Sequence, residues 1–177
     1  MTPSRRRFLR LGGEFLASLS LLHAVRAAED GLVEIRMAGT ANGSHVWFDP
    51  IGILVPAGTT IRWINEDPGN AHTATAYHPD NFDHALRIPA GARPWDSDYL
   101  LPGESFEVTL TVPGVYDYFC APHEHAGMVG RIIVGEAGDT FAEPAAAAGS
   151  AGLPDVALRA FPAIADILTH KVIHPRS

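Results

Sequence analysis

Intramolecular disulfides are excluded at the outset, because Cys120 is the only cysteine among 177 residues. If the chain is exported, that thiol stands free unless it has a task such as holding a metal ion. Net positive charge is lacking too. The formal charge is −7, and because Arg5, Arg6, Arg7, Arg10 and Arg26 face only Glu14 within the first 27 residues, the remainder carries −11. A body this acidic repels nucleic-acid phosphates, whose binders are basic. Its charge serves solubility and steers it toward a cationic protein surface. No internal repeat is present, which excludes a solenoid. The one apolar run, residues 11–25, is short for a bilayer span and carries Glu14.

What is present is concentrated between Tyr116 and Gly130. Cys120 ends a strand-like run over residues 115–119, His123 follows it by three positions, and Met128 lies five beyond that. Pro122, Gly127 and Gly130 mark a turn before residues 131–134 resume an extended pattern. Read singly, each residue is unremarked core: a lone cysteine behaves as a small buried hydrophobe and methionine fills gaps. Read together, a thiolate, an imidazole and a thioether are the soft and borderline donors of a trigonal His2Cys site with a long axial Met, the set suited to electron-transfer copper. One more histidine has to come from elsewhere.

The rest of the chain reads as a scaffold of short strands. Val33, Ile35 and Met37 alternate with Glu34 and Arg36. Residues 45–48 and 51–55 are apolar and extended, Pro56-Ala57-Gly58 turns, and residues 59–64 put Ile61 and Trp63 on one face with Arg62 and Ile64 on the other. Over residues 105–112, Phe106, Val108, Leu110 and Val112 alternate with polar residues in the clearest strand pattern of the chain. Short strands at close intervals with turn residues between them predict an all-β chain folded as an antiparallel sandwich.

The pattern Cys120-x2-His123-x4-Met128, with Pro122 before the histidine and Gly127-Met128-x-Gly130 at its end, resembles the copper loop of plastocyanins. The order of turns and strands over residues 31–135 resembles the cupredoxin family more widely. That resemblance implies a Greek-key β-sandwich and one copper ion per chain, cycling between Cu(II) and Cu(I). It implies His72, Cys120, His123 and Met128 as the metal ligands. Azurin-type loops run Cys-x4-His-x3-Met, which His125 meets only in its first half, so His125 is placed outside the ligand set. His72 follows Trp63-Ile64-Asn65 as the first ligand of the plastocyanin and halocyanin group follows a Trp-x-Asn-like strand. Thr73 stands where plastocyanins have Asn, which leaves open how the hydrogen bond between the two ligand loops is made.

Ser4-Arg5-Arg6-Arg7-Phe8-Leu9-Arg10 resembles the twin-arginine (Tat) export consensus, with Arg10 in place of Lys. Small residues place cleavage after Ala27 or Ala28. The expected organisation is therefore a signal peptide over 1–27, a cupredoxin domain over 31–135, an Ala/Gly-rich linker over 136–152 and a tail over 153–177 with a short helix, which Pro162 bends or restarts. A tail helix packed on the sandwich is the plain reading, and a partner-docking helix the alternative. Residues 77–99 depart from the family and read as an irregular insert. His78 with Asp80, or Asp83 with His84, offers donors for a second metal site. A solvated loop is the plainer reading, as it is for His45.

These readings converge on a periplasmic or otherwise exported copper protein carrying single electrons between redox proteins, such as c-type cytochromes with cationic docking surfaces. It has no nucleic-acid partner and no membrane span in its mature form. His123 would be the electron port, with Glu124 and His125 shaping the surface beside it. An enzyme reducing oxygen or nitrite needs further copper clusters, and His123/His125 is the only His-x-His pair. The alternative is a periplasmic copper carrier or buffer using the same ligands.

Overall fold

The structure is a computed structural model that describes residues 31–144 and 153–175. The expected signal peptide and the Ala-rich part of the linker lie outside the described residues. Among those described, no helix is long and apolar enough to cross a membrane.

Two sheets form the body. The first has the order β2-β1-β4-β6, from β1 (Leu32–Gly39), β2 (Val46–Asp49), β4 (Thr59–Asn65) and β6 (Ser105–Leu110). The second has the order β5-β7-β8-β3-β9, from β3 (Gly52–Val55), β5 (Thr75–Ala76), β7 (Gly114–Phe119), β8 (Val129–Val134) and β9 (Val172–Ile173). The sandwich is as expected, but it is not wholly antiparallel. β1 lies parallel to β4 and β3 parallel to β8, each pair joined by chain that crosses between the sheets. Alternation along a strand records which face is buried and says nothing about direction, so the sequence pattern is the same for either sense.

The alternation itself is reproduced residue by residue. In β4, Ile61 and Trp63 are buried while Arg62 and Ile64 are partly exposed. Trp63 sits at the centre of the core, with ring centroids 5.3 Å from Tyr118, 5.7 Å from Trp95 and 6.4 Å from Phe106. Gly130 proves to be a strand residue opposite Tyr118, not part of the turn. A Cβ there would collide with the Tyr118 ring, so this glycine is set by close packing.

The insert is irregular, as expected, yet it is bound into the fold. Leu100 bridges to His72 and Asp96 to Thr75, and Ile88, Trp95 and Leu100 join the main core. Arg87 is buried against Asp117 of β7, which also accepts from Arg131 of β8, with N···O separations of 2.6 and 2.7 Å. Both guanidinium groups lie over the Phe161 ring, at 5.1 and 5.2 Å from its centroid. Two arginines thus share one buried carboxylate under an aromatic lid, and Arg131 also pairs with Glu143.

The tail differs from a single helix. It forms α1 (Asp155–Ala160), α2 (Ile164–His170) and β9, and the break falls at Phe161-Pro162-Ala163. Pro162 lacks an N–H and drives Phe161 into an extended conformation, φ −62° and ψ 131°. Ile164 and Ile167 pack on Val115 and Ile133, so the tail covers the outer face of the second sheet.

Removing the carboxylate from the buried triad leaves two arginines short of their counter-charge, for which losses of about 3–5 kcal/mol are typical. Asp117→Asn is therefore expected to lower the free energy of unfolding by that order, read from a denaturant midpoint that falls at an unchanged slope.

Candidate metal centre

Three donors converge where β7 ends and the chain from β4 returns. Cys120 Sγ lies 3.5 Å from His72 Nδ1 and 3.4 Å from His123 Nδ1. These are the separations of donors sharing one ion through bonds of about 2.0 Å to nitrogen and 2.3 Å to sulfur. His72 and Cys120 are wholly buried, and His123 is partly exposed.

The loop after Cys120 is a short 3-10 helix, Ala121–Ala126, with Pro122 in its first turn. Pro122 suits that place because its missing N–H has no intrahelical partner there. Gly127 ends the turn at φ 82°, its N–H bonding to the Glu124 carbonyl at 2.9 Å. A left-handed cap of this kind favours glycine. Cys120 N–H donates to the Met128 carbonyl at 3.0 Å and Met128 N–H to the His123 carbonyl at 3.1 Å, so the loop closes on itself through its backbone. Met128 is buried in the same core cluster as Cys120.

Thr73 makes the connection between the ligand loops. Its N–H donates to Cys120 Sγ at 3.3 Å, and its hydroxyl oxygen accepts from Ala121 N–H at 2.8 Å. That hydroxyl is also 2.9 Å from Thr75 Oγ1, which donates to Asp96 Oδ1 at 2.9 Å. The role open to an Asn at this position is thus filled by a shorter side chain.

Asp67 was not visible as a site residue from sequence. Its Oδ2 lies 3.1 Å from His72 Nε2, with both side chains buried. Burial pushes the Asp67 carboxyl up, but hydrogen bonds from Asn70, the Gly69 N–H and His72 outweigh it and hold the group below the usual carboxylate range. An ionised carboxylate only accepts, so the shared proton belongs to His72 Nε2 and the Nδ1 lone pair faces Cys120 Sγ. Burial lowers His72 despite the Asp67 contact, and burial likewise lowers His123, so both rings are neutral at pH 7. Burial pushes the Cys120 thiol up to about 12. The hint in the sequence is Asn65-x-Asp67-Pro68-Gly69-Asn70, a turn whose polar side chains bond their own backbone.

Among the described residues, the other histidines stay apart from this centre. His125 is exposed. His78 lies 3.6 Å from Asp80, and His84 turns away from Asp83 to face Glu124 at 3.6 Å. Glu124 is itself buried and accepts from Tyr77 Oη at 2.7 Å. His45 packs on Trp47. Among the described residues, His72, Cys120 and His123 are the one group of three such donors brought together.

A two-sheet sandwich with a buried thiol and two imidazoles at one end defines a class of soft-metal site, and comparison with known proteins agrees. The profile of the copper binding proteins of the plastocyanin/azurin family matches residues 35–135. Chloroplastic plastocyanin of Chlamydomonas reinhardtii is 35% identical over 135 residues, covering 76% of this chain and 86% of that protein. The barley (Hordeum vulgare) plastocyanin is 41% identical over 98 residues, covering 53% of this chain, and this chain spans only 58% of the barley protein's length. Pseudoazurin from Methylobacterium extorquens AM1 is a structural neighbour with 25% identity and a TM-score of 0.46, covering 59% of this chain and 75% of its own. The profile match and the Chlamydomonas relative place the chain in the plastocyanin/azurin family of copper-binding proteins.

Thr73→Val keeps the volume of the side chain and deletes the acceptor for Ala121 N–H. Leaving a fully buried donor unpaired costs about 1–3 kcal/mol, and this part-buried one sets the loss at the lower end of that range. The variant is expected to lose stability of that order and to react faster with a thiol reagent at Cys120, while Thr73→Ser restores both.

Proposed function

We propose that the chain is an exported carrier of single electrons, in which His72, Cys120, His123 and Met128 hold one copper ion, and that it relays charge between redox proteins without converting a substrate of its own. The observation that carries this reading is the buried Cys120 Sγ flanked by two neutral imidazole Nδ1 atoms at 3.5 and 3.4 Å. A thiolate with two imidazoles suits copper, which supplies the one-electron couple when bound.

The protein's share of the work is to keep these donors still. His72 is held by Asp67, the cysteine sulfur by the Thr73 N–H, and the loop by the bond from Ala121 to Thr73. With the donors fixed by hydrogen bonds and core packing, little rearranges when an electron arrives or leaves. Of the three clustered donors' residues, His123 alone is partly exposed, which suits it as the port for electrons. The acidic body favours a cationic partner surface, for which a c-type cytochrome is the proposed example. Ser4-Arg5-Arg6-Arg7-Phe8-Leu9-Arg10 supports export through the Tat route to a bacterial-type periplasm.

The visible spectrum of the chain lacking residues 1–27, taken with one equivalent of Cu(II) before and after a mild reductant, tests the reading. An intense band that bleaches and returns is expected, and Cys120→Ser should abolish it while the fold persists. Silence in the visible, with tight Cu(I) or Zn(II) binding instead, would replace the electron carrier with a copper carrier or a structural metal site.

Binding should also release protons in a defined number. Below about 12 the metal-free Cys120 thiol carries a proton that binding must displace, whereas His72 and His123, lowered from their ordinary values, carry none at pH 7. Calorimetry at pH 7 in two buffers of different ionisation enthalpy should therefore show one proton released per ion. Affinity should fall about tenfold per unit as the pH drops, and faster once the histidines protonate.

A further inference from the structure

We propose that Asp67 is a positioning and tuning residue of the metal centre: its buried carboxylate fixes which nitrogen of His72 is free to ligate and biases the site toward the oxidised ion. The inference rests on the reading of the centre as a copper electron-transfer site. It concerns a residue that does not itself bind the metal.

The geometry is specific. Asp67 Oδ2 accepts from His72 Nε2 at 3.1 Å and from Asn70 Nδ2 at 2.8 Å, while Oδ1 accepts from the Gly69 N–H at 2.8 Å. Asp67's own N–H donates to Asn65 Oδ1 at 2.9 Å, and Asn65 Nδ2 in turn bonds the carbonyls of Asn70 and Leu100 at 2.9 and 2.8 Å. The carboxylate is therefore oriented from several sides and has no freedom to turn away from the imidazole. Space for it is kept by Gly39 of β1, where a Cβ would strike Oδ2.

Charge balance gives the arrangement its direction. Among the described residues no arginine or lysine pairs with Asp67, and the one basic side chain it meets is the neutral His72. A negative charge held one imidazole away from the metal favours the ion of higher charge. The same contact makes the ring a better donor, as a carboxylate partner does for metal-bound histidines generally. Asp67 should then stabilise Cu(II) over Cu(I) and hold the reduction potential below what the ligands alone would set. Asn at the same position keeps an oxygen for Nε2–H and removes the charge, together with the acceptor for the Gly69 N–H.

The test compares wild type with Asp67→Asn. We expect the midpoint potential of Asp67→Asn to rise by at least 59 mV, equivalent to a tenfold shift in the relative affinity for the two oxidation states, with the visible band retained. An unchanged potential in a variant that keeps the band overturns the proposal while leaving the copper reading intact. Absence of the band in the wild type overturns the copper reading and this one with it. Should Asp67→Asn fail to fold, Gly39→Ala displaces the carboxylate from the side, and its potential should move the same way. Independently of any metal, long-range 15N–1H correlation on the metal-free wild type should show His72 protonated on Nε2. Protonation on Nδ1 would sink the proposal.

Discussion

The centre depends on the grip of Thr73 on Cys120. One residue gives its backbone N–H to the sulfur and its hydroxyl to the amide of the next residue, so the chain returning from β4 and the loop leaving β7 cannot separate without orphaning a buried donor. The bond from Cys120 N–H to the Met128 carbonyl closes the far side of the same loop. Because the sulfur is fixed by backbone groups, its position depends little on which surface residues surround it. The imidazoles are arranged around a sulfur already in place, and the burial that raises the thiol also shields it from solvent.

A second constraint lies on the opposite face of β7. Strand residues alternate sides, so Tyr116, Tyr118 and Cys120 point into the sandwich while Asp117 and Phe119 point toward the tail. Asp117 gathers Arg87 from the insert and Arg131 from β8, and Phe161 of the tail covers both guanidinium groups. Phe119, next to Cys120, packs on Tyr77 of the insert, and the same cluster contains Leu153 and Ala157 of the tail. The irregular segment after Tyr77 and the tail therefore meet over the strand that carries Cys120. They are parts of one support behind the Cys120 loop.

How much of this was legible before folding follows from what a linear pattern encodes. The alternation of Ile61 and Trp63 with Arg62, or of Phe106 and Val108 with Glu107, states which face is buried, and both segments are strands. The spacing of Cys120, His123 and Met128 is local and was readable as a set. Asp117 and Arg131 resemble outward-facing charges in any alternation count, and their partnership spans 14 positions, with Arg87 30 away. Trp95, inside a proline-rich stretch, carries no period that would announce a core residue. Asp67 looks like ordinary turn chemistry until the fold brings the His72 ring to it. The two-residue β9 is too short for any pattern to mark.

That short strand has a consequence of its own. β3 would otherwise end the second sheet with its outer row of amide and carbonyl groups open, and an open, apolar strand edge is a template on which another chain can add. β9 occupies part of it, at Gly52 and Ile53, and α2 lies against the same strand where Gly52 leaves room for Pro162 and Ile167. The tail thus acts as a guard against self-association. A molecule clipped after the linker would carry a sticky border along Ile53 and Leu54, so the segment that backs the Cys120 strand also keeps the sheet edge from recruiting another chain.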